Sequence, residues 1–348
     1  MKQLFTVAAL TALAFALAAP LPAQTLELEY STFLGGSAHD RGRAVAFDSV
    51  GGIYIVGDSS SEDFPTLNPY QASKAGLYNV YAAKFSSDGG SLVFSTYLGG
   101  NYIDNGNDIA VDANRDVYLS GHTQSVNFPT FNAYQAAFNQ GSSSNTPDAF
   151  LTKLSSTGSA LIYSTYLGGS DYEYTSDSSF HGSGLALDTA GRAYLAGYTR
   201  SQDFPVKNAV QFNNASSGSV YDCFVTVFNS DGSSLAWSTY LGGTLVDNCH
   251  DVAIDAEKRV YITGSTTSTN FPLVSAYQGS NNGSTDIFVA RIGSAGGVLD
   301  YSTYLGTIGL EYGMTILADG DGNAYVCGNT SGAAFPTVNP YQASRAGS

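Results

Sequence analysis

Ser95-Thr96-Tyr97-Leu98-Gly99-Gly100 decides the fold of this chain, because the stretch keeps returning. It recurs as Ser31–Gly36, with Phe33 in place of tyrosine, and again as Ser164–Gly169 and Ser238–Gly243. A fifth copy starts at Ser302 and ends Gly306-Thr307. The starts lie 64, 69, 74 and 64 residues apart. Units of this size, repeated along one chain, bury their apolar faces against each other.

A second recurring residue sets the grammar inside each unit. Asp48, Asp112, Asp188, Asp255 and Asp319 each follow a short apolar stretch and precede a tight polar turn. A strand with tyrosine near its start and glycine near its end comes next: Ile53–Gly57, Val117–Gly121, Ala193–Gly197, Val260–Gly264 and Ala324–Gly328. A longer loop then carries Phe-Pro, first at Phe64-Pro65 and last at Phe335-Pro336. A third strand follows (Val80–Phe85, Ala149–Leu154, Cys223–Phe228, Ile287–Ile292), and the fourth ends in the opening signature. Tyrosine, valine and leucine alternate with serine and threonine, a strand pattern. Four short antiparallel strands per unit, apolar on both faces, predict an all-β fold of β-propeller type. About five blades are visible, near 37–100, 101–169, 170–243 and 244–306, with 307–348 completed by 25–36. In this reading Leu26–Phe33 pairs with the last repeat and closes the ring. The last repeat stops where its sisters continue into a third strand. This leaves two readings open, a reduced closing blade or a longer chain.

The chain has 348 residues, a net charge of −15 and only 14 lysines plus arginines. Nucleic-acid backbones and anionic lipid both demand clustered basic residues, so neither is an expected partner. Lys2, the apolar run Leu4–Ala19 and Pro20-Leu21-Pro22-Ala23 read as a secretory signal, 1–23, cut after Ala23 or alternatively after Ala18. No other run is long and apolar enough to span a bilayer, so a secreted or cell-surface protein without membrane insertion is expected. Three cysteines stand where sister repeats carry other residues. Buried free thiols are the expected state, with Cys223–Cys249 as the pair that could form.

The motif series Ser95-Thr-Tyr-Leu-Gly-Gly100, Val111-Asp112, Tyr118-Leu-Ser-Gly-His-Thr123, Phe128-Pro129 and Ala133-Tyr-Gln135 resembles the bacterial beta-propeller repeat family called SBBP. The resemblance spans the whole of 24–348. It implies a propeller found in secreted and cell-surface proteins, and it transfers no catalytic residues.

Candidate sites follow from the loops. An acid stands eight residues before the recurring aspartate in four copies (Asp40, Asp104, Asp247, Glu311), whereas the third copy has Phe180. His39, Asp108, His181, His250 and Asp251 lie in the same stretches. These residues are expected at a channel mouth beside the Phe-Pro loops, as a ligand-binding set. Asp319, Asp321 and Asn323 place oxygens at alternate positions, a weak calcium candidate, and no other cofactor is expected. The sequence holds no nucleophile elbow, zinc-helix motif or phosphate loop. The expected role is therefore a binding or scaffolding module for an extracellular protein or polysaccharide. The rival readings are a glycan-active hydrolase or lyase and a purely structural surface repeat.

Overall fold

The computed structural model describes residues 28–139, 146–175, 184–216, 218 and 220–346. The predicted signal peptide lies outside them. The chain divides into two compact units, 1–31 and 32–348, and the sheets described below belong to the second.

All regular structure among the described residues is β. The first sheet runs β1 (Asp40–Phe47), β2 (Ile53–Ser59), β3 (Asn79–Phe85) and β4 (Leu92–Leu98), paired in that order. The second repeats it with β5 (Asp104–Val111), β6 (Val117–Thr123), β7 (Asp148–Leu154) and β8 (Leu161–Leu167). In the third, the innermost strand is split into β9 (Glu173–Tyr174) and β10 (Leu185–Leu187), both on β11 (Ala193–Thr199), followed by β12 (Asp222–Phe228) and β13 (Leu235–Leu241). The fourth comprises β14 (Asp247–Ile254), β15 (Val260–Thr266), β16 (Asp286–Ile292) and β17 (Leu299–Leu305). The fifth holds β18 (Glu311–Ala318) and β19 (Ala324–Thr330).

Every inner strand starts earlier than its apolar stretch, at the acid itself. A β-bulge lets it do so, at Gly42/Ala44, Gly106/Asp108, Cys249/Asp251 and Gly313/Thr315. The bulge re-aims the strand, so its first half presents polar side chains and its second half apolar ones. At the other end the recurring aspartate caps the turn. Asp112 Oδ1 accepts from the amides of Asn114 (2.9 Å) and Asp116 (3.0 Å). The fourth turn residue takes a left-handed conformation, whether it is Gly51 (φ 87°) or Arg115 (φ 66°).

The sheets pack in series through their inner strands. β5 lies on β1, β2 and β3; β14 on β10, β11 and β12; and β18 on β14, β15 and β16. Each junction of complete sheets has the same core. Val80 and Leu98 of the first sheet meet Phe128 and Phe150 of the second. Ala149 and Leu167 meet Phe204 and Phe224, and Cys223 and Leu241 meet Phe271 and Phe288. The paired rings lie 4.6, 4.5 and 4.7 Å apart between centroids. The glycine near the end of strand two makes room for the second ring. A β-carbon on Gly121 would sit 2.6 Å from the Phe150 ring, and one on Gly197 would sit 2.7 Å from Phe224.

Two expectations are corrected here. Cys223 and Cys249 form a disulfide between β12 and β14, their Cα atoms 4.9 Å apart across the sheet junction, whereas Cys327 is free and exposed. Packing of sheet on sheet brings the pair within bridging range, which residue spacing alone does not reveal. Residues 28–36 carry no strand, and the start of the expected closing segment Leu26–Phe33 lies outside the described residues. In every complete sheet the fourth strand pairs with a third. Among the described residues the fifth sheet consists of β18 and β19.

Replacing Phe150 with alanine should destabilise the chain by about 3–5 kcal/mol, since it empties the centre of a closed junction. Denaturant unfolding measures this, and a midpoint shift worth less than about 1 kcal/mol would contradict the ring's central place.

Candidate functional site

The signature is a clamp for the Phe-Pro loop. Its tyrosine hydroxyl donates to a carbonyl at the loop's start and accepts an amide at its phenylalanine. Tyr97 does so with Ser61 O (2.6 Å) and Phe64 N (3.2 Å), and Tyr166 with Ser125 O (2.8 Å) and Phe128 N (2.9 Å). Tyr240 and Tyr304 repeat the pattern with Ser201 and Phe204, and with Ser268 and Phe271. The signature threonine accepts from the loop glutamine's amide, Thr165 Oγ1 from Gln135 N at 2.8 Å. The glutamine side chain returns the bond, Oε1 accepting from Gly168 N at 3.0 Å.

The acids expected at a channel mouth belong to this clamp. Asp104 is fully buried. It accepts from Gly100 N (2.8 Å), Asn79 Nδ2 (2.9 Å), Thr123 Oγ1 (2.5 Å) and Ser125 Oγ (3.1 Å). Asp40 accepts from Gly36 N, Ser59 and Ser61, and Asp247 from Gly243 N and Ser268. Glu311 accepts from Thr307 N, Thr330 and Gly332 N. Asp104, Asp247 and Glu311 are thus buried parts of the frame, whose oxygens hold the amide of the last signature residue, Gly100, Gly243 and Thr307. In the third copy this work falls to Glu173, which accepts from Gly169 N and Thr199 Oγ1, and Phe180 lies outside the described residues. The signal was present in the sequence, as an acid four residues after the last signature position in all five copies.

A second acid stands beside the first at three junctions. Asn79 opens β3, but Asp148, Asp222 and Asp286 open β7, β12 and β16. A β-carbon on Gly168 would lie 2.6 Å from Asp148 Oδ1 and 2.7 Å from Glu173 Oε2, so the two carboxyls crowd one point. Asp148 Oδ1, Asp222 Oδ1 and Asp286 Oδ1 are buried without a hydrogen bond among the described residues. Burial pushes Asp148 and Asp222 up to about 7. Burial, and then the charge of Asp148, hold Glu173 well above the usual carboxylate range. A raised folded-state pKa means that the folded chain keeps protons the unfolded chain has released. This contribution is therefore complete below about pH 4 and lost as pH rises through about 7. Asp148→Asn, which installs the amide that Asn79 already supplies, should raise the melting temperature at pH 8 by at least about 2 °C. The gain should vanish below pH 4, and a thermal scan at both values that shows no pH-dependent difference would refute the crowded-pair account.

The remaining candidates separate. Asp108 bonds its neighbour's amide and Leu185 N (3.0 Å) on the third sheet, and Asp251 bonds Ile316 N (2.8 Å) and Thr315 Oγ1 (2.6 Å) on the fifth. Both tie one inner strand to the next. His250 is buried, with Nδ1 against Gly313 O at 2.8 Å. His39 is exposed and makes backbone bonds to Ser60, and His181 lies outside the described residues. Asp319 spends its oxygens on Asp321 N, Asn323 N, Asn323 Nδ2 and the Tyr325 hydroxyl. Among the described residues no group of three or more His, Cys, Asp or Glu side chains is placed to hold a metal ion.

One facing pair differs in every repeat. Where strands one and two face each other near the clamp, the paired residues are Arg41 and Asp58, Asn105 and His122, Tyr174 and Tyr198, Asn248 and Ser265, and Tyr312 and Asn329. The second and third pairs meet, His122 against Tyr174. Arg41 and Arg43 hold the buried Asp58 at 2.8 and 3.1 Å. Asn105 and Asn107 bond the His122 ring, and Asn107 also reaches Thr175 at 2.9 Å. Burial, then the charges of Arg43 and Arg41, push His122 well below its usual pKa, so it is the neutral imidazole. Its ring meets Tyr174 edge-on at 4.9 Å, and Tyr174 continues to Tyr172, Tyr198 and Tyr221. The Arg200 guanidinium lies over Tyr172 (5.3 Å) and Tyr221 (5.9 Å).

Serial four-stranded antiparallel sheets joined through their inner strands define a protein of β-propeller architecture. The sequence profile of the SBBP beta-propeller repeat matches residues 29–65, 93–129, 162–205, 236–272 and 300–336. These matches cover more than half of the chain, which belongs to that family. Comparison with curated proteins finds no match. Among solved structures, it is similar to a protein of unknown function from Dyadobacter fermentans (12% identity, TM-score 0.45, 84% of this chain and 76% of that one). It is also similar to the K499G mutant of NanB sialidase from Streptococcus pneumoniae (9%, 0.44, 83% and 56%). A third similar structure is the quinohemoprotein alcohol dehydrogenase ADHIIG of Pseudomonas putida HK5 (13%, 0.37, 81% and 43%).

Proposed function

We propose that this chain is an exported binding module, and that its ligand is an extracellular polysaccharide held on the tyrosine, arginine and histidine surface of the first three sheets. One observation carries the reading. Four copies keep the tyrosine clamp and all five keep the capped turn, but the copies differ at one facing pair of positions in the strand ladder. A frame that repeats while one set of side chains varies suits a rigid scaffold presenting a specific surface. Tyr172, Tyr174 and Tyr221 are partly exposed, and such rings offer apolar faces to the C–H edges of sugars, with hydroxyls alongside. Arg200 adds donors for hydroxyl or carboxylate groups.

Affinity electrophoresis of the secreted chain through gels containing neutral and acidic polysaccharides tests this. Retardation should occur with at least one polymer. It should fall at least tenfold in apparent affinity for Tyr174→Ala with Arg200→Gln, while the melting curve stays that of a folded protein. No retardation by any polymer, together with pull-down of a protein partner that depends on the same two side chains, would replace the polysaccharide with a protein ligand. Binding that survives both changes would move the site elsewhere.

A further inference from the structure

The capped turns carry a second pattern, in the charge that each turn presents to the sheet before it. The fourth turn residue is Gly51, Arg115, Gly191, Lys258 and Gly322 in chain order, always in the left-handed region. Arginine and lysine are uncommon there. Lys258 (φ 65°) reaches back to the third sheet, its Nζ 3.4 Å from Asp188 Oδ2, which also accepts from Arg192 Nε (2.7 Å) and the Tyr194 hydroxyl (3.2 Å). Arg115 brings its charge to Tyr54 of the first sheet.

On three sheets the capping aspartate and its tyrosine thereby meet two cations. They are Lys84 and Arg115 on the first sheet, Arg192 and Lys258 on the third, and Arg259 and Arg291 on the fourth. The fourth sheet also faces a glycine, and there Arg259 covers it, its guanidinium 3.0 Å from where a β-carbon on Gly322 would lie. The second sheet differs. Among the described residues Lys153 is the one cation at Asp112 and Tyr118, and it is shared between Asp112 (2.9 Å) and Asp116 (3.2 Å). Asp116 stands where the third and fourth sheets have Arg192 and Arg259, and Gly191 stands where the next turn has Lys258. Two carboxylates with one lysine leave one negative charge uncompensated.

Between the turns of the second and third sheets is a cavity of about 480 Å³, a volume typical of small-molecule pockets. Asp112 and Tyr118 give it a polar wall, and Val111, Leu187 and Ala190 an apolar one. A β-carbon on Gly191 would lie 3.3 Å from the Tyr118 hydroxyl, so the cavity occupies the place that Lys258 fills one junction later. No three His, Cys, Asp or Glu side chains converge there among the described residues, which fits an organic cation better than a metal ion.

We propose that this cavity is a binding site for a small linear alkylammonium compound. Its ammonium group takes the place of the lysine that the next junction supplies, bonding Asp112 Oδ2 beside the Tyr118 ring, and its carbon chain lies along Val111 and Leu187. The site is at the opposite end of β5 and β6 from the Asn105–His122 pair and is independent of the polysaccharide surface proposed above.

The probe is 1,5-diaminopentane, titrated into the full chain by calorimetry at about 0.15 M salt, where diffuse attraction to an acidic protein is screened. One saturable site per chain is expected. The uncharged 1,5-pentanediol should bind at least tenfold more weakly. Two substitutions then exchange the junctions, each installing a residue type that this turn position already holds elsewhere in the chain. Gly191→Lys supplies the cation from within and should weaken diamine binding at least tenfold, whereas Lys258→Gly should raise the stoichiometry from one to two. Absence of a saturable site, equal binding of the diol, unchanged binding by a folded Gly191→Lys chain, or a stoichiometry unmoved by Lys258→Gly would each overturn the proposal. Tighter binding of the peptide acetyl-Gly-Lys-Gly-amide than of the diamine would overturn the free amine as occupant in favour of a protein side chain.

Discussion

A single phenolic hydroxyl per complete sheet carries the architecture. It lies at the end of the outer strand, fully screened from water, and bonds both ways to a loop some thirty-odd residues earlier in the chain. A tyrosine in a junction core without these partners would leave a polar atom stranded in an apolar site. With them, it fixes the Phe-Pro loop at the depth that brings the phenylalanine onto the third-strand ring. The threonine, the two glycines and the glutamine tighten the same corner. The six-residue signature is thus less a strand sequence than a description of one corner, written four residues at a time on the outer strand.

This explains why so much of the fold is visible in one chain. Strand order, the capped turns and the sheet boundaries follow from short-range chemistry that each copy must repeat. Longer-range facts are harder to read. The Cys223–Cys249 bridge depends on how one sheet lies on the next, and neither residue has a counterpart in the other repeats. The acids illustrate a subtler failure. Residue type pointed to exposure, yet Asp104 and Asp247 are buried, because the inner strand begins at the acid rather than at the first apolar residue. Counting back from the capped turn also missed Glu173, since the third repeat lengthens between its acid and its apolar stretch. Counting forward from the signature finds it, because the hydrogen bond to the signature glycine fixes that spacing and nothing fixes the other.

The variable surface was the least legible. Arg41, His122 and Tyr198 stand directly after the inner-strand acid or the strand-two glycine, but they differ in type, so recurrence does not mark them until the ladder register places each opposite its partner. Residues that a repeat must keep announce themselves by recurrence. Residues that it is free to change can be recognised only once the frame is known.

The bridge between β12 and β14 also bears on how the molecule comes apart. Sheets that touch only their sequence neighbours behave as a one-dimensional stack, which can fray from either end. A covalent tie between the third and fourth sheets interrupts that stack. Under tension applied along the chain, the terminal sheets would peel while the tied pair held, and reduction would merge these events. The molecule then has a mechanical anchor at this junction, set by the redox state of its surroundings.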